Sequence, residues 1–367
     1  MEIRQDLETR PVYDVVEKLW RIKINANECN LNLPPLVAER VLTRFSSVAF
    51  NRYPNEEYDS LREQIARNFA VGMDQVVIGS GSSEIIEKIF YCFGGSTDKK
   101  ILYPVPSFSM YKIYAQAAEC QPVEFELDPK DFSLDVEKYI DAVKKEKPTL
   151  AVVCNPNNPT GNGLKIQQIE TIAKNVDCPL LIDEAYIEFY GETASELIRQ
   201  YPHLMIARTF SKAYGLAAAR VGYLVASKEI AEIVGKSFMP YHMNVLSLVT
   251  ADIVYQMRAE FIPRIQMMIA ERKRMSAQLQ KLPGFRVYPS VTNFVLVKHA
   301  NADELNRRFE EKSIGVRNFG SNPRLKNCIR ITMGLREEND IWFDVAETFA
   351  EDMESHNPTL DTEGMDI

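Results

Sequence analysis

A lysine among small and apolar residues is the first feature of this chain that suggests chemistry. Lys212 lies in TFSKAYGLAAARVGY (209–223), just ahead of an apolar strand expected from Val221 to Ala226. Desolvation lowers a lysine's pKa, and a lysine able to shed its proton attacks carbonyl carbon to form a Schiff base. Ser211 beside it and Arg220 further along can hold an anion, the arginine through its forked donors. An amine that reacts with carbonyls, set beside an anion site, suits pyridoxal phosphate, which carries both an aldehyde and a phosphate. Most Ser-Lys pairs lie in exposed loops, so the reading depends on what else the chain supplies.

Other stretches supply complementary groups. GSGSSE (79–84) runs from a short buried strand into a helix, which can set hydroxyls and backbone N–H groups on a phosphate at the helix N-terminus. A tight turn with a serine cap reads equally well, and the spacing is neither a P-loop nor a dinucleotide fingerprint. Asp183 follows the apolar run LLI, where an unpaired carboxylate is costly and calls for a cation. A protonated pyridine nitrogen is one such partner and makes the ring an electron sink; a helix cap or a structural salt bridge is the plainer alternative. Asn158 and Tyr186 can hydrogen-bond the ring's phenolic oxygen. Phe108 can stack on its face, although a buried phenylalanine is usually only core.

These residues need a frame. Short apolar strands are expected at 76–78, 100–103, 121–126, 149–154, 179–182 and 204–208, with helices between them, which argues for a mostly parallel α/β sheet covered on both faces. Ligands bind such sheets at the carboxyl ends of the strands, where Gly79, Asn158, Asp183 and Lys212 all fall. One long helix kinked at Pro263 is expected over 251–282, followed by strands at 285–287, 293–298, 315–317 and 328–332, helices between them and a final helix. The domain organisation read from this is an N-terminal arm (1–30), a large α/β domain (31–250), a smaller α+β domain (251–352) and a polar, frayed tail (353–367).

Composition narrows the function. The 367 residues are 46% hydrophobic and 26% charged, with a net charge of -8, which disfavours a nucleic-acid partner. The 6 cysteines and 4 histidines are scattered, so no metal site is expected and the thiols read as reduced. A polar N-terminus without an apolar core, and no run long enough to span a bilayer, point to a cytoplasmic protein without a membrane partner.

In their joint order, these pieces resemble the fold type I pyridoxal-phosphate enzymes. The motifs NRYP, NPNNPTG, DEAYIEF, RTFSKAYGLA and CIRITMGLREEN carry the resemblance further, to the histidinol-phosphate aminotransferase family within the class II aminotransferases, from about Tyr13 to Phe349. The resemblance implies that Lys212 forms the Schiff base and carries the proton. Asp183 would pair with the pyridine nitrogen, and Asn158 and Tyr186 with the phenolic oxygen. Ser82, Ser83, Thr209, Ser211 and Arg220 would hold the phosphate, with Tyr53 reaching in from the second subunit of a homodimer; Phe108 would stack where many relatives have tyrosine. Arg330, Arg317 and Tyr13 would bind the anionic group of the amino donor or of the 2-oxo acid. Departures are Ala218-Ala219 in the run before Arg220, Cys29-Asn30 after Asn-Glu, and His242, expected at the pocket rim. An aromatic aminotransferase, a threonine-phosphate decarboxylase and a non-catalytic cofactor-binding sensor are the rival readings. The sensor would need a DNA-binding domain, for which there is no room ahead of Tyr13.

Overall fold

The structure is a computed structural model that describes residues 18–356. Tyr13 lies outside the described residues. After a short strand β1 (Ile22–Lys23), the chain forms β2 (Val76–Gly79), β3 (Lys100–Val105), β4 (Gln121–Glu126), β5 (Leu150–Cys154), β6 (Leu180–Asp183), β7 (Leu204–Thr209) and β8 (Gly222–Val225). The last seven make one sheet in the order β2-β8-β7-β6-β5-β3-β4. Strands β4, β3, β5, β6 and β7 run parallel, and β8 runs antiparallel to both its neighbours.

Successive strand side chains point to opposite faces, and the apolar runs fill both. Ala151, Val153, Leu180 and Ile182 join one core cluster, while Leu150, Val152, Leu181 and Met205 join the other. The helices Gly81–Phe93, Met110–Ala117 and Lys228–Gly235 cover the second face; Glu56–Phe69, Val136–Glu146, Ile166–Asn175 and Val245–Gln256 lie against the first. The helix Lys228–Gly235 is an element that the periodicity did not reveal.

A second sheet holds β9 (Arg286–Val287), β10 (Phe294–Lys298), β12 (Arg317–Asn318) and β13 (Cys328–Thr332) in the antiparallel order β12-β13-β10-β9. Its inner residues, including Val295, Val297, Ile329 and Ile331, pack with Trp342 and Phe349 of the last helix, Arg336–His356. Between β10 and β12 lies β11 (Ile314–Gly315), which pairs in parallel with β1. Ile22 and Ile24 are buried in this C-terminal core, so the start of the described chain is fastened to its far end.

Three expected elements differ from the structure. The single helix over 251–282 is two helices, Val245–Gln256 and Ile262–Leu279, separated by a 3-10 turn at Arg258–Phe261. Pro263 lies in the first turn of the second helix, where its missing N–H leaves no bond unmade, so it starts a helix and does not kink one. The first of these helices begins early because Asn244 caps it, accepting the Ser247 N–H at 2.8 Å. The expected strand 315–317 is divided between β11 and β12, which belong to different sheets. Between the strands expected at 179–182 and 204–208, the expected helix is 3-10 segments, among them Ser195–Arg199.

Candidate active site

Strands β5, β6 and β7 finish side by side: Cys154 is in register with Asp183, and Asp183 with Ala207. Beyond these ends lies a cavity of about 420 Å3. Ser82, Ser83, Phe108, Asn158, Asp183, Tyr186, Thr209, Ser211, Lys212, Arg220, Arg317 and Arg330 all line it.

One end of the cavity is built for an anion. The helix that follows β2 starts inside the GSGSSE run, at Gly81, so Ser82 and Ser83 stand in its first turn with their backbone N–H groups unused by the helix. Gly81 holds φ +79, and a Cβ there would lie 2.7 Å from an Arg220 Nη2. Behind this turn passes Gly222, whose added Cβ would run into the backbone nitrogen of Ser82. The two glycines let strand, helix and arginine close on one point. Arg220, itself at φ 52, donates to the Ala217 carbonyl at 3.1 Å and to Ser211 Oγ at 3.5 Å.

At the floor, Asp183 is 3% exposed. Its carboxylate accepts the Tyr111 hydroxyl at 2.7 Å and the Ala185 N–H at 3.2 Å, and it makes no salt bridge among the described residues. Burial pushes its pKa up to about 6, against the pull of these two donors. Lys212 donates to the Ala26 carbonyl at 2.9 Å. Burial brings its ammonium down to about 8, and the charges of Arg330 and Arg220 act in the same direction. The buried phenol of Tyr186, pushed up to about 12 by desolvation, accepts the Asn27 amide at 2.8 Å.

The other end is again cationic. Arg317 and Arg330 are cross-strand partners in β12 and β13, which places two guanidinium groups together. Arg330 donates to Asn158 Oδ1 at 2.5 Å and to the Asn25 carbonyl at 2.6 Å, and lies over the Phe294 ring. Its neighbours Ile329 and Ile331 face the C-terminal core, as strand alternation requires.

Tyr53, expected to serve the second subunit, is 73% exposed, stacked on Tyr241 with ring centroids 4.2 Å apart, and lies away from this chain's own cavity. His242 is not at the pocket rim. It lines a separate surface groove with Tyr58, Phe238 and Tyr241, its ring nitrogens within hydrogen-bond distance of the Ile78 and Met239 carbonyls. Conversely, the segment Asn25–Glu28 lines the cavity without having been singled out, and Tyr111 reaches Asp183 from the helix below. The segment falls in the expected N-terminal arm, yet Ile22 pairs with Ile314 and Ile24 is buried in the C-terminal core; nothing local marked that pairing. Among the described residues no cluster of three His, Cys, Asp or Glu side chains could hold a metal ion, and no helix is long and apolar enough to cross a membrane.

A buried carboxylate without a cation, a lysine whose ammonium burial brings down to about 8 and a serine-arginine cradle at a helix N-terminus fit pyridoxal phosphate by donor chemistry: cradle to phosphate, Asp183 to ring nitrogen, Lys212 to aldehyde. The fold and the cavity thus define a fold type I, pyridoxal-phosphate-type α/β architecture. The aminotransferase class I and II model matches residues 21–341, and the chain belongs to that family. Among its relatives, the histidinol-phosphate aminotransferase of Ruminiclostridium cellulolyticum is 36% identical over 93% of this chain and 96% of its own. The crystal structure of the Sinorhizobium meliloti histidinol-phosphate aminotransferase in complex with pyridoxal-5'-phosphate superposes with a TM-score of 0.82 at 23% identity, covering 91% of this chain and 92% of that one. L-threonine-O-3-phosphate decarboxylase from Porphyromonas gingivalis shares the fold as well, with a TM-score of 0.77 at 22% identity over 90% of this chain and 99% of that one.

Proposed function

We propose that this protein is a cytoplasmic, homodimeric aminotransferase that uses pyridoxal phosphate to interconvert histidinol phosphate plus 2-oxoglutarate and imidazole-acetol phosphate plus glutamate, a step of histidine biosynthesis. The observation that carries the reading is the presence of two separate cationic centres in one cavity, both felt by the Lys212 ammonium. Ser82, Ser83, Thr209, Ser211 and Arg220 hold the cofactor phosphate, while Arg317 and Arg330 receive the anionic group of either substrate.

The bound cofactor supplies the electron sink for the charge left at the substrate Cα. The chain does the rest. Asp183 keeps the ring nitrogen protonated by pairing with it in a dry site, and Tyr111 helps keep Asp183 ionised by donating to it. Tyr186 and Asn158 bind the phenolic oxygen, and Phe108 limits the ring's tilt. Lys212, whose ammonium burial brings down to about 8, has its amine form within reach and would be the base that moves the proton away from the substrate Cα. Glutamate offers a carboxylate and histidinol phosphate a phosphate ester; a guanidinium forks onto the oxygens of both, so one arginine pair serves both halves of the reaction.

The assignment is tested by mixing the loaded enzyme with L-histidinol phosphate alone and following cofactor absorbance. Conversion to the amine form of the cofactor is expected. No change with this donor, but change with phenylalanine, would make the protein an aromatic aminotransferase; carbon dioxide release from threonine phosphate would make it a decarboxylase.

A further inference from the structure

We infer that Asn27 is a positioning residue that fixes which way the Tyr186 hydroxyl points its proton, acting with Thr332 as a relay of hydrogen-bond direction from the C-terminal sheet into the cavity. The inference rests on the proposed contact between Tyr186 and the cofactor's phenolic oxygen.

The argument begins at a group with no choice of role. The backbone N–H of Asn27 donates to Thr332 Oγ1 at 3.1 Å, and a backbone N–H can only donate. Thr332 is fully buried, and its hydroxyl proton has one acceptor among its neighbours, Asn27 Oδ1 at 3.0 Å. Turning the Asn27 amide over would present an NH2 to that hydroxyl and leave a buried O–H without an acceptor, which costs far more than the loss of an exposed bond. The amide therefore keeps its oxygen on Thr332 and its nitrogen on Tyr186. Nδ2 donates to Tyr186 Oη at 2.8 Å, so the phenol oxygen acts as acceptor there. Its own proton is left for the cavity side, where an anionic ring oxygen would receive it.

The backbone around Asn27 is built to hold this arrangement. Asn27 is 1% exposed and sits at φ 55, a left-handed conformation that asparagine tolerates better than most residues. Its carbonyl accepts the Asn293 amide at 3.2 Å, and the Thr332 N–H donates to the Ile24 carbonyl at 3.0 Å. The Tyr186 ring packs edge-on against Phe294, 5.3 Å away, which leaves the hydroxyl little freedom to move. Asparagine is the needed side chain because it has an acceptor for Thr332 and a donor for Tyr186 at the two ends of one planar group.

An aspartate at the same position keeps the shape and offers two acceptors. Tyr186 would then donate to Asn27→Asp and withdraw its proton from the cavity. A hydrogen bond given to an anionic oxygen lowers the pH at which that oxygen deprotonates. Its loss should raise the pH midpoint of the bound cofactor's absorbance change by about one to two units. Tyr186→Phe should do the same, and Asn27→Asp should add nothing in a Tyr186→Phe background, because a residue that acts through Tyr186 has no route once the hydroxyl is gone.

The experiment is a spectroscopic pH titration of loaded wild-type enzyme, the two single variants and the double variant, with cofactor dissociation constants measured alongside. Equal upward shifts that do not add support the relay. An unshifted Asn27→Asp midpoint beside a shifted Tyr186→Phe midpoint overturns it, as does a full second shift in the double variant. If Tyr186→Phe itself moves nothing, the placing of Tyr186 at the ring oxygen falls, and the relay falls with it. Should Asn27→Asp fail to fold, Thr332→Val interrupts the relay one link earlier; a smaller upward shift is expected, and none at all overturns the proposal.

Discussion

Asp183 is the residue at which function opposes stability most directly. Its carboxyl takes up a proton at about 6 when folded, against 3.8 for the unperturbed group. Between those values the folded apoprotein binds a proton that the unfolded chain does not, so stability falls as pH rises through this window and stays lower above it. A shift of that size amounts to roughly 3 kcal/mol at neutral pH. Asp183→Asn should therefore remove most of that loss. Urea unfolding of the two apoproteins at pH 4 and pH 7 checks it: the wild type should weaken relative to the variant between these values. Equal pH dependence would mean that Asp183 is ionised without cost. The same substitution should abolish transamination, since asparagine cannot pair with a protonated ring nitrogen.

At the scale of elements, the two short strands β12 and β13 decide how the cavity handles anions. Their register sets Arg317 beside Arg330, but the two differ in how they are held. Arg330 is 8% exposed and tied to Asn158 and Asn25, whereas Arg317 is only half-buried. Arg330→Lys should slow both half-reactions, each by roughly 1.5–3 kcal/mol, because one point charge replaces a fork. Arg317→Lys should harm the histidinol-phosphate half more, since a dianion gains more from a second guanidinium. Single-turnover rates with each donor separate the cases, and equal losses for Arg317→Lys would refute the shared-anion pocket. Much of this frame was legible in the sequence: β4 and β13 have the bounds that alternation predicted, and Asp183 ends its strand as the run LLID implies. The role of Asn25–Glu28 was not legible, because it comes from pairings with residues around 314 and 332 that no local pattern encodes. Pro263 was misread for a related reason: a proline breaks or begins a helix according to what precedes it, and the 3-10 turn at Arg258–Phe261 left no periodic sign.

For the whole molecule, the exposed residues are as informative as the buried ones. Tyr53, Met239 and Phe50 are each at least 70% exposed, and Tyr53 and Met239 flank the groove that holds His242. Large apolar side chains gathered on one surface are what a twofold partner would cover, and Tyr53 could then serve the partner's phosphate cradle and not its own. If so, a mixed dimer of one Tyr53→Phe chain and one Lys212→Ala chain has one intact site and one doubly damaged site. Per mixed dimer, it should keep about half of wild-type turnover; with unshared sites, activity would fall to half that of the Tyr53→Phe homodimer. Tandem-tagged purification of the mixed species makes the measurement possible.

The pairing of β1 with β11 also has a consequence for the order in which the protein is made. Ile22 leaves the ribosome long before its partner Ile314 and the Thr332 that grips Asn27. The seven-stranded sheet that positions Asp183 and Lys212 is complete in sequence by Val225 and can assemble during synthesis, since domains form as units from the N-terminal side. The nascent chain must meanwhile keep its opening segment unpaired, with two isoleucines that belong to a core not yet translated. The carbonyl that meets the Lys212 ammonium and the amide that meets Tyr186 are thus set in place together, only once the C-terminal sheet has formed. A truncated chain can hold most of the catalytic residues in their strands and still have an unfinished site.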